Sequence, residues 1–134
     1  MALLDLRRLV PGALEETGDS VRFRADALRF DVAVFTNLTQ DHLDFHPDME
    51  AYFAAKRRLF GDDGRAVVNL DDGYGRRLVD DLPRAITYSV ERAADYRATG
   101  VRFDPSGSSF TCDTPEGSVA VETRLPGLFN VQNA

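Results

Sequence analysis

RAVVNLDDGYGRRLVDDLPRAITYSV, residues 65–90, holds a strand, a helix and a second strand in one stretch. Residues 65–70 (RAVVNL) are a short β-branched run closed by Asn69, Asp71 and Asp72, the pattern of a buried parallel strand. Residues 71–82 keep a helical pattern, weakened by Gly73 and Gly75 and stopped by Pro83. Residues 85–90 (AITYSV) form the next strand. Upstream, VAVFT (32–36) is another compact strand run, followed by a polar loop, TQDHLDFH (39–46). PDMEAYFAAKRRLF (47–60) then carries the strongest helical pattern in the chain. Pro47 suits the first helical position, Asp48 and Glu50 complement the positive helix end, and Gly61 ends it. Strand, helix, strand, helix, strand predicts right-handed βαβ units: an α/β fold with a mostly parallel sheet and flanking helices.

Beyond this core the texture changes. YRATGVRF (96–103), SSFTCDT (108–114) and SVAVETRL (118–125) alternate apolar and polar between Asp-Pro-Ser-Gly and Thr-Pro-Glu-Gly turns, which predicts a small antiparallel meander. LPGLFNVQNA (125–134) begins a helix that Asn130 is placed to cap. At the other end, residues 2–10 (ALLDLRRLV) put Leu3, Leu6 and Val10 at helical spacing before Pro11-Gly12, and residues 21–30 alternate.

The chain has 134 residues, with 16 Lys+Arg against 22 Asp+Glu and a formal net charge of -6. That length suits one domain. Its 43% hydrophobic and 28% charged residues exclude disorder and collagen-like repeats. An acidic balance lacks the basic face that neutralises phosphates, so nucleic acid is not an expected partner. No apolar run reaches the roughly 18 residues of a membrane span, so no membrane partner is expected and a cytoplasmic location is. Cys112 is the only cysteine, which agrees with a reducing compartment.

Of the 16 cations, Lys56 is the only lysine. It stands three residues past Phe53 and seven past Met49, on the helical stripe of Met49, Tyr52, Phe53, Leu59 and Phe60. One reading is a side chain that snorkels from the stripe's edge. The other is a desolvated amine able to react as the neutral nucleophile, for instance with carbon dioxide to give a carbamate. Asp41, His42, Asp44 and His46 form a dense oxygen and nitrogen cluster beyond a strand end. Such clusters serve as caps and surface polarity, and an imidazole with carboxylates can also hold a divalent ion such as magnesium. Asn69, Asp71 and Asp72 suit either hydrogen bonds to a ribose or base, or an ordinary strand-end turn. No Gly-x-x-x-x-Gly-Lys-Ser/Thr, Gly-x-Gly-x-x-Gly or Gly-x-Ser-x-Gly string occurs.

TNLTQDHLDFHPDMEAYFAAKRRLF (36–60), AVVNLDD (66–72) and LPGLFNVQNA (125–134) together resemble the Mur ligases, above all the type that forms the tripeptide, over roughly residues 30–134. The resemblance implies an ATP-dependent amide ligase of peptidoglycan synthesis. Its substrate partners in the parent enzyme would be UDP-MurNAc-L-Ala-D-Glu and a diamino acid, meso-diaminopimelate, joined through an acyl phosphate. It also implies ATP and Mg2+ as cofactors, with His42 as a magnesium ligand and Lys56 as a carbamylated lysine that helps hold the metal and the transferring phosphoryl group. By the same resemblance Asn130 and Asn133 lie near the adenine, and Asn69 and Asp72 near nucleotide or structural contacts. The physical logic is neutralisation of a phosphoryl transfer by metal and fixed groups.

This sequence departs from the family pattern where the phosphate-binding loop and a metal-binding glutamate string would precede residue 30. Residues 1–30 are therefore expected to be an N-terminal segment left from the substrate domain, and 31–134 an incomplete central domain. The expectation is a truncated piece of a ligase that does not catalyse alone. A non-catalytic module that kept the fold to bind a nucleotide or partner is the alternative, and a small metal-dependent hydrolase built on His42 and His46 is a third reading.

Overall fold

The computed structural model of the protein describes residues 14–17, 20–23, 30–39, 48–61 and 64–134. The helix expected over 2–10, the Asp41-His42-Asp44-His46 loop and Pro47 lie outside the described residues. Two compact units are present, Met1–Ala33 with Gln40–Gly64 and Val34–Thr39 with Arg65–Ala134.

In the first unit β1 (Leu14–Thr17) and β2 (Ser20–Phe23) pair antiparallel, with Leu14 opposite Phe23 and Thr17 opposite Ser20. The helix α1 (Met49–Arg57) starts where Asp48, in extended conformation, accepts a 2.7 Å bond from the Ala51 N–H. It is shorter than the 47–60 pattern because its last turn tightens. Leu59 N donates to Lys56 O and Phe60 N to Arg57 O, both at 3.0 Å, and these i→i−3 bonds close the helix before Gly61.

A six-stranded sheet follows the chain in its order: β3 (Val32–Phe35), whose Val34 and Phe35 belong to the second unit, and then, all in that unit, β4 (Arg65–Asn69), β5 (Ile86–Ser89), β6 (Tyr96–Asp104), β7 (Gly107–Thr114) and β8 (Gly117–Thr123). β4 pairs parallel with β5, Val67 opposite Ile86, and β5 pairs parallel with β6, Tyr88 opposite Tyr96. β6, β7 and β8 are antiparallel. The α/β class expected from the sequence is thus what folds. The meander, however, is continuous with the parallel strands, because β6 pairs with β5 through its first residues and with β7 along its length. A register shift between Thr99 and Arg102 separates two stretches of the β6–β7 ladder, and Gly100 between them has φ 61, where a side chain would be strained.

Alternation along β4 sends Ala66 and Val68 to one face and Val67 to the other. The helix α2 (Gly73–Asp81) lies on the Val68 face, where Val68 and Leu78 are fully buried. The glycines that weaken the helical pattern have different roles. A Cβ on Gly75 would stand 2.0 Å from Asn69 O and 3.4 Å from Val68 Cγ1, whereas one on Gly73 would meet only the Arg76 side chain, at 3.6 Å. Gly75 is what lets α2 approach β4. On the opposite face the short helix α3 (Leu128–Gln132) seats Val131 against Ala98 and Phe110, with Val90, Val101, Cys112 and Val121 packed around them.

Gly75→Ala should therefore lower stability by about 1–3 kcal/mol, as overpacking against backbone does. Gly73→Ala, whose Cβ would make only an ordinary contact with the Arg76 side chain, should stay within about 0.5 kcal/mol of the parent. Urea unfolding of the two variants beside the parent measures both.

Candidate functional site

The turn after β4 gathers the polar residues singled out in the sequence. Asn69 is buried, at 6% exposure; its Nδ2 donates to Thr36 O at 2.9 Å and its Oδ1 accepts from Asp71 N at 2.9 Å. Asp72 N-caps α2: Oδ1 accepts from Tyr74 N at 2.8 Å and Gly75 N at 3.0 Å, while Oδ2 accepts from Leu38 N at 3.2 Å. Both side chains hold the loop after β3 to the end of β4.

Asp71, between them, points the other way along the strand ends. Its Oδ1 accepts from the Ser89 hydroxyl in a very short bond and from Glu91 N at 3.2 Å. Its Oδ2 accepts from Val90 N at 2.8 Å and from Gln132 Nε2 at 3.4 Å. Ser89, 2% exposed, in turn accepts from Glu91 N and Arg92 N, so the loop after β5 is folded onto one carboxylate. Burial by itself would raise the Asp71 carboxyl, but the four donors outweigh it and hold the group below its ordinary value. Burial, and then the Asp71 charge, push the nearby Tyr88 phenol up, which keeps it neutral.

α3 is fixed at both ends. Ser108 Oγ donates to Leu125 O at 2.8 Å and accepts from Gly127 N at 3.1 Å, which anchors the turn before the helix. Asn130 does not cap it. Gly127, at φ 106, is the N-cap residue, and Asn130 lies inside the helix with Nδ2 donating to Pro126 O at 2.8 Å. The proline–glycine pair starts the helix three residues earlier than the asparagine suggested. Asn133 is the C-cap residue and is exposed.

Between α3 and its sheet face lies a cleft of about 560 Å³. Val67, Ile86 and Tyr88 wall it, and Val131, Gln132 and Asn133 line it from the α3 side. Apolar walls with a few amide and hydroxyl groups at the rim are the general make-up of a small-molecule site.

Lys56 belongs to the first unit. It is half-buried on α1 with its Nζ 5.0 Å from the centroid of the Tyr52 ring, a cation–π contact one helical turn away. Phe53 is buried, Met49, Tyr52, Leu59 and Phe60 are half-buried, and Arg57 and Arg58 are exposed, so the only lysine does stand on the less exposed side of the helix. His42 lies outside the described residues. Of the residues singled out, Asn69 and Asp72 meet in one network, Asn133 shares the cleft with that network's neighbour Gln132, and Asn130 holds its own helix. Gln132 and Ser89 were not anticipated; a glutamine in a short helix and a serine in a strand carry no pattern of their own.

The Mur ligase middle domain matches residues 14–134. UDP-N-acetylmuramoyl-L-alanyl-D-glutamate–2,6-diaminopimelate ligase of Synechococcus elongatus is 50% identical over 115 residues, which cover 82% of this chain and 23% of the relative. A solved structure of a ligase of that name superposes with a TM-score of 0.74 at 36% identity, over 82% of this chain and 24% of the other. A complex of FPGS with AMPPCP shares the fold, with a TM-score of 0.63 at 18% identity, over 79% of this chain and 27% of the other. The chain spans about a quarter of the length of these relatives.

The lowered Asp71 carboxyl sets a pH dependence. A carboxyl whose folded value is depressed stabilises the fold above its unfolded value and loses that contribution as pH falls through the folded one. Stability should therefore be flat near neutrality and fall below about pH 4. Asp95, held low first by the Thr87 N–H and then by the Thr87 hydroxyl, adds to the same fall. Asp71→Asn should flatten part of this acid limb and cost about 1–2 kcal/mol at neutral pH through lost acceptors. Urea midpoints from pH 7 to 3 compare the two proteins.

Proposed function

The chain belongs to the Mur ligase family, as its middle domain, and from that premise we propose that it is the nucleotide-binding part of an ATP-dependent ligase adding meso-diaminopimelate to UDP-MurNAc-L-Ala-D-Glu in cytoplasmic peptidoglycan synthesis. The 50% identity with a ligase of that specificity carries the reading. ATP, when bound, supplies the phosphoryl group that activates the D-glutamyl carboxylate, and Mg2+ neutralises charge on the phosphates.

The chain's own residues have distinct parts in this proposal. The cleft beside α3 takes the adenine, with Asn133 presenting an amide to the base edge and the apolar wall of Val67, Ile86 and Tyr88 against its face; Asn130 acts by fixing the helix that carries Asn133. The AMPPCP of one fold neighbour supports a nucleotide in this fold. Asn69 and Asp72 hold the strand-end turn beneath the nucleotide. Lys56, as a carbamate, would offer anionic oxygens suited to magnesium, and His42 would be its companion ligand. An ammonium cannot ligate a cation, so the metal part of the proposal depends on that modification. Residues 1–30 would be left from the substrate domain, and 31–134 would form the central domain.

One observation favours a narrower role for these 134 residues. They contain no Gly-x-x-x-x-Gly-Lys-Ser/Thr string, the loop that cradles the β- and γ-phosphates. Nucleotide binding without turnover is the expected behaviour of the chain by itself.

Incubation with UDP-MurNAc-L-Ala-D-Glu, ATP, Mg2+ and meso-diaminopimelate should release no phosphate, and sustained release would refute the narrower role. Labelling with 13C-bicarbonate should give a carbamate carbon resonance that disappears in Lys56→Arg. A parent spectrum identical to that variant's would remove the magnesium assignment from Lys56.

A further inference from the structure

The bond from Gln132 Nε2 to Asp71 Oδ2 joins residues 61 positions apart in sequence and is the link between α3 and the strand-end network. α3 has five residues, too few to be stable on its own. Its pose is set by the groups that hold it. Ser108 fixes the entry and Val131 fixes the buried side. The exit, where Asn133 leaves the helix at the cleft, is held to the sheet by Gln132 and Asp71. The same carboxylate accepts from Val90 N and Glu91 N, so it also fixes the loop after β5, and Ser89 and Val90 line the cleft. One side chain therefore holds two walls of the cleft in mutual register.

We propose that Asp71, acting through Gln132, is a positioning residue that sets where the Asn133 amide meets the base of a bound purine nucleotide. This rests on the nucleotide reading above. Asp71 itself does not touch the ligand, since both its oxygens face Ser89, Val90, Glu91 and Gln132. Gln132→Ala removes the latch and leaves the other Asp71 bonds in place; Asp71→Asn removes the charge and leaves one acceptor oxygen for the four donors that the carboxylate receives.

The test uses the full 15N-labelled chain, its two single variants and the double variant, with adenosine as the probe. In the free proteins Asp71→Asn should shift the side-chain amide resonances of Asn133, and the same change made on top of Gln132→Ala should leave them where Gln132→Ala alone puts them. Adenosine affinity should fall about three- to tenfold in each single variant, the equivalent of one lost hydrogen bond, with no additive loss in the double. A merely stabilising Asp71 would lower the melting temperature while Asp71→Asn left the Asn133 side-chain resonances in place and Gln132→Ala left adenosine affinity unchanged, and that result overturns the inference. If the parent chain shows no adenosine-dependent shift at Asn133, the nucleotide reading fails, while the latch is still decided by the resonances of the unliganded proteins.

Discussion

Backbone donors at a strand end must find acceptors, and in this protein the turn after β4 supplies them to three neighbouring segments. Leu38 N, Tyr74 N and Gly75 N all reach the Asp72 carboxylate. Val90 N and Glu91 N reach Asp71. A buried N–H without a partner costs as much as a lost hydrogen bond, so the chain cannot place a loop after β3, a helix after β4 and a loop after β5 side by side unless something between them accepts. Two adjacent aspartates do so in opposite directions. Asp72 ties the helix start to the β3 side, Asp71 ties the β5 side to α3, and Asn69 locks the turn by accepting from Asp71 N.

Packing follows from that turn. With Asp72 capping α2, the first turn of the helix lies directly over Asn69, and only a glycine at position 75 leaves room for it. Leu78 then falls on the face of Val68, and both are fully buried. The opposite face takes a different solution: among the described residues a five-residue helix packs on Ala98 and Phe110, and Val67, Ile86 and Tyr88 wall the cleft beside it. A parallel sheet normally buries both faces, so a half-covered face beside polar strand ends is where such folds place ligands.

The sequence announced the frame more clearly than the joints. Hydrophobic periodicity located β3, β4, β5, α1 and the three strands of the meander, because buried runs and alternation are local properties. It missed that β6 continues the parallel sheet, since pairing partners are decided by tertiary contact and not by pattern. It read Gly75 as a weakness, although the reason for the glycine is a carbonyl of Asn69, six residues back and on another element. Asn130 looked like a cap because asparagine favours that position; Pro126 and Gly127 start the helix before it instead. Asn69 and Asp72 carried two readings that no spacing rule separates, and the bonds they make lead to Thr36 and Leu38, more than thirty positions away.

A short motif such as LFNVQN means little outside this fold. A helix of one and a half turns gains too little from its own hydrogen bonds to offset the cost of starting it. Ser108 on β7, Asp71 after β4 and the Ala98–Phe110 pair on β6 and β7 therefore dictate its position, each through a contact distant in sequence. Asn130 contributes only a local tie, to Pro126 O. The place of the helix, with Asn133 at its end, is consequently tied to the sheet, in part through the Gln132 amide and the Asp71 carboxylate. Positions 71 and 108 do not line the cleft, yet both hold the helix that does, and a copied hexapeptide in another framework would keep the asparagine while losing the contacts that place it.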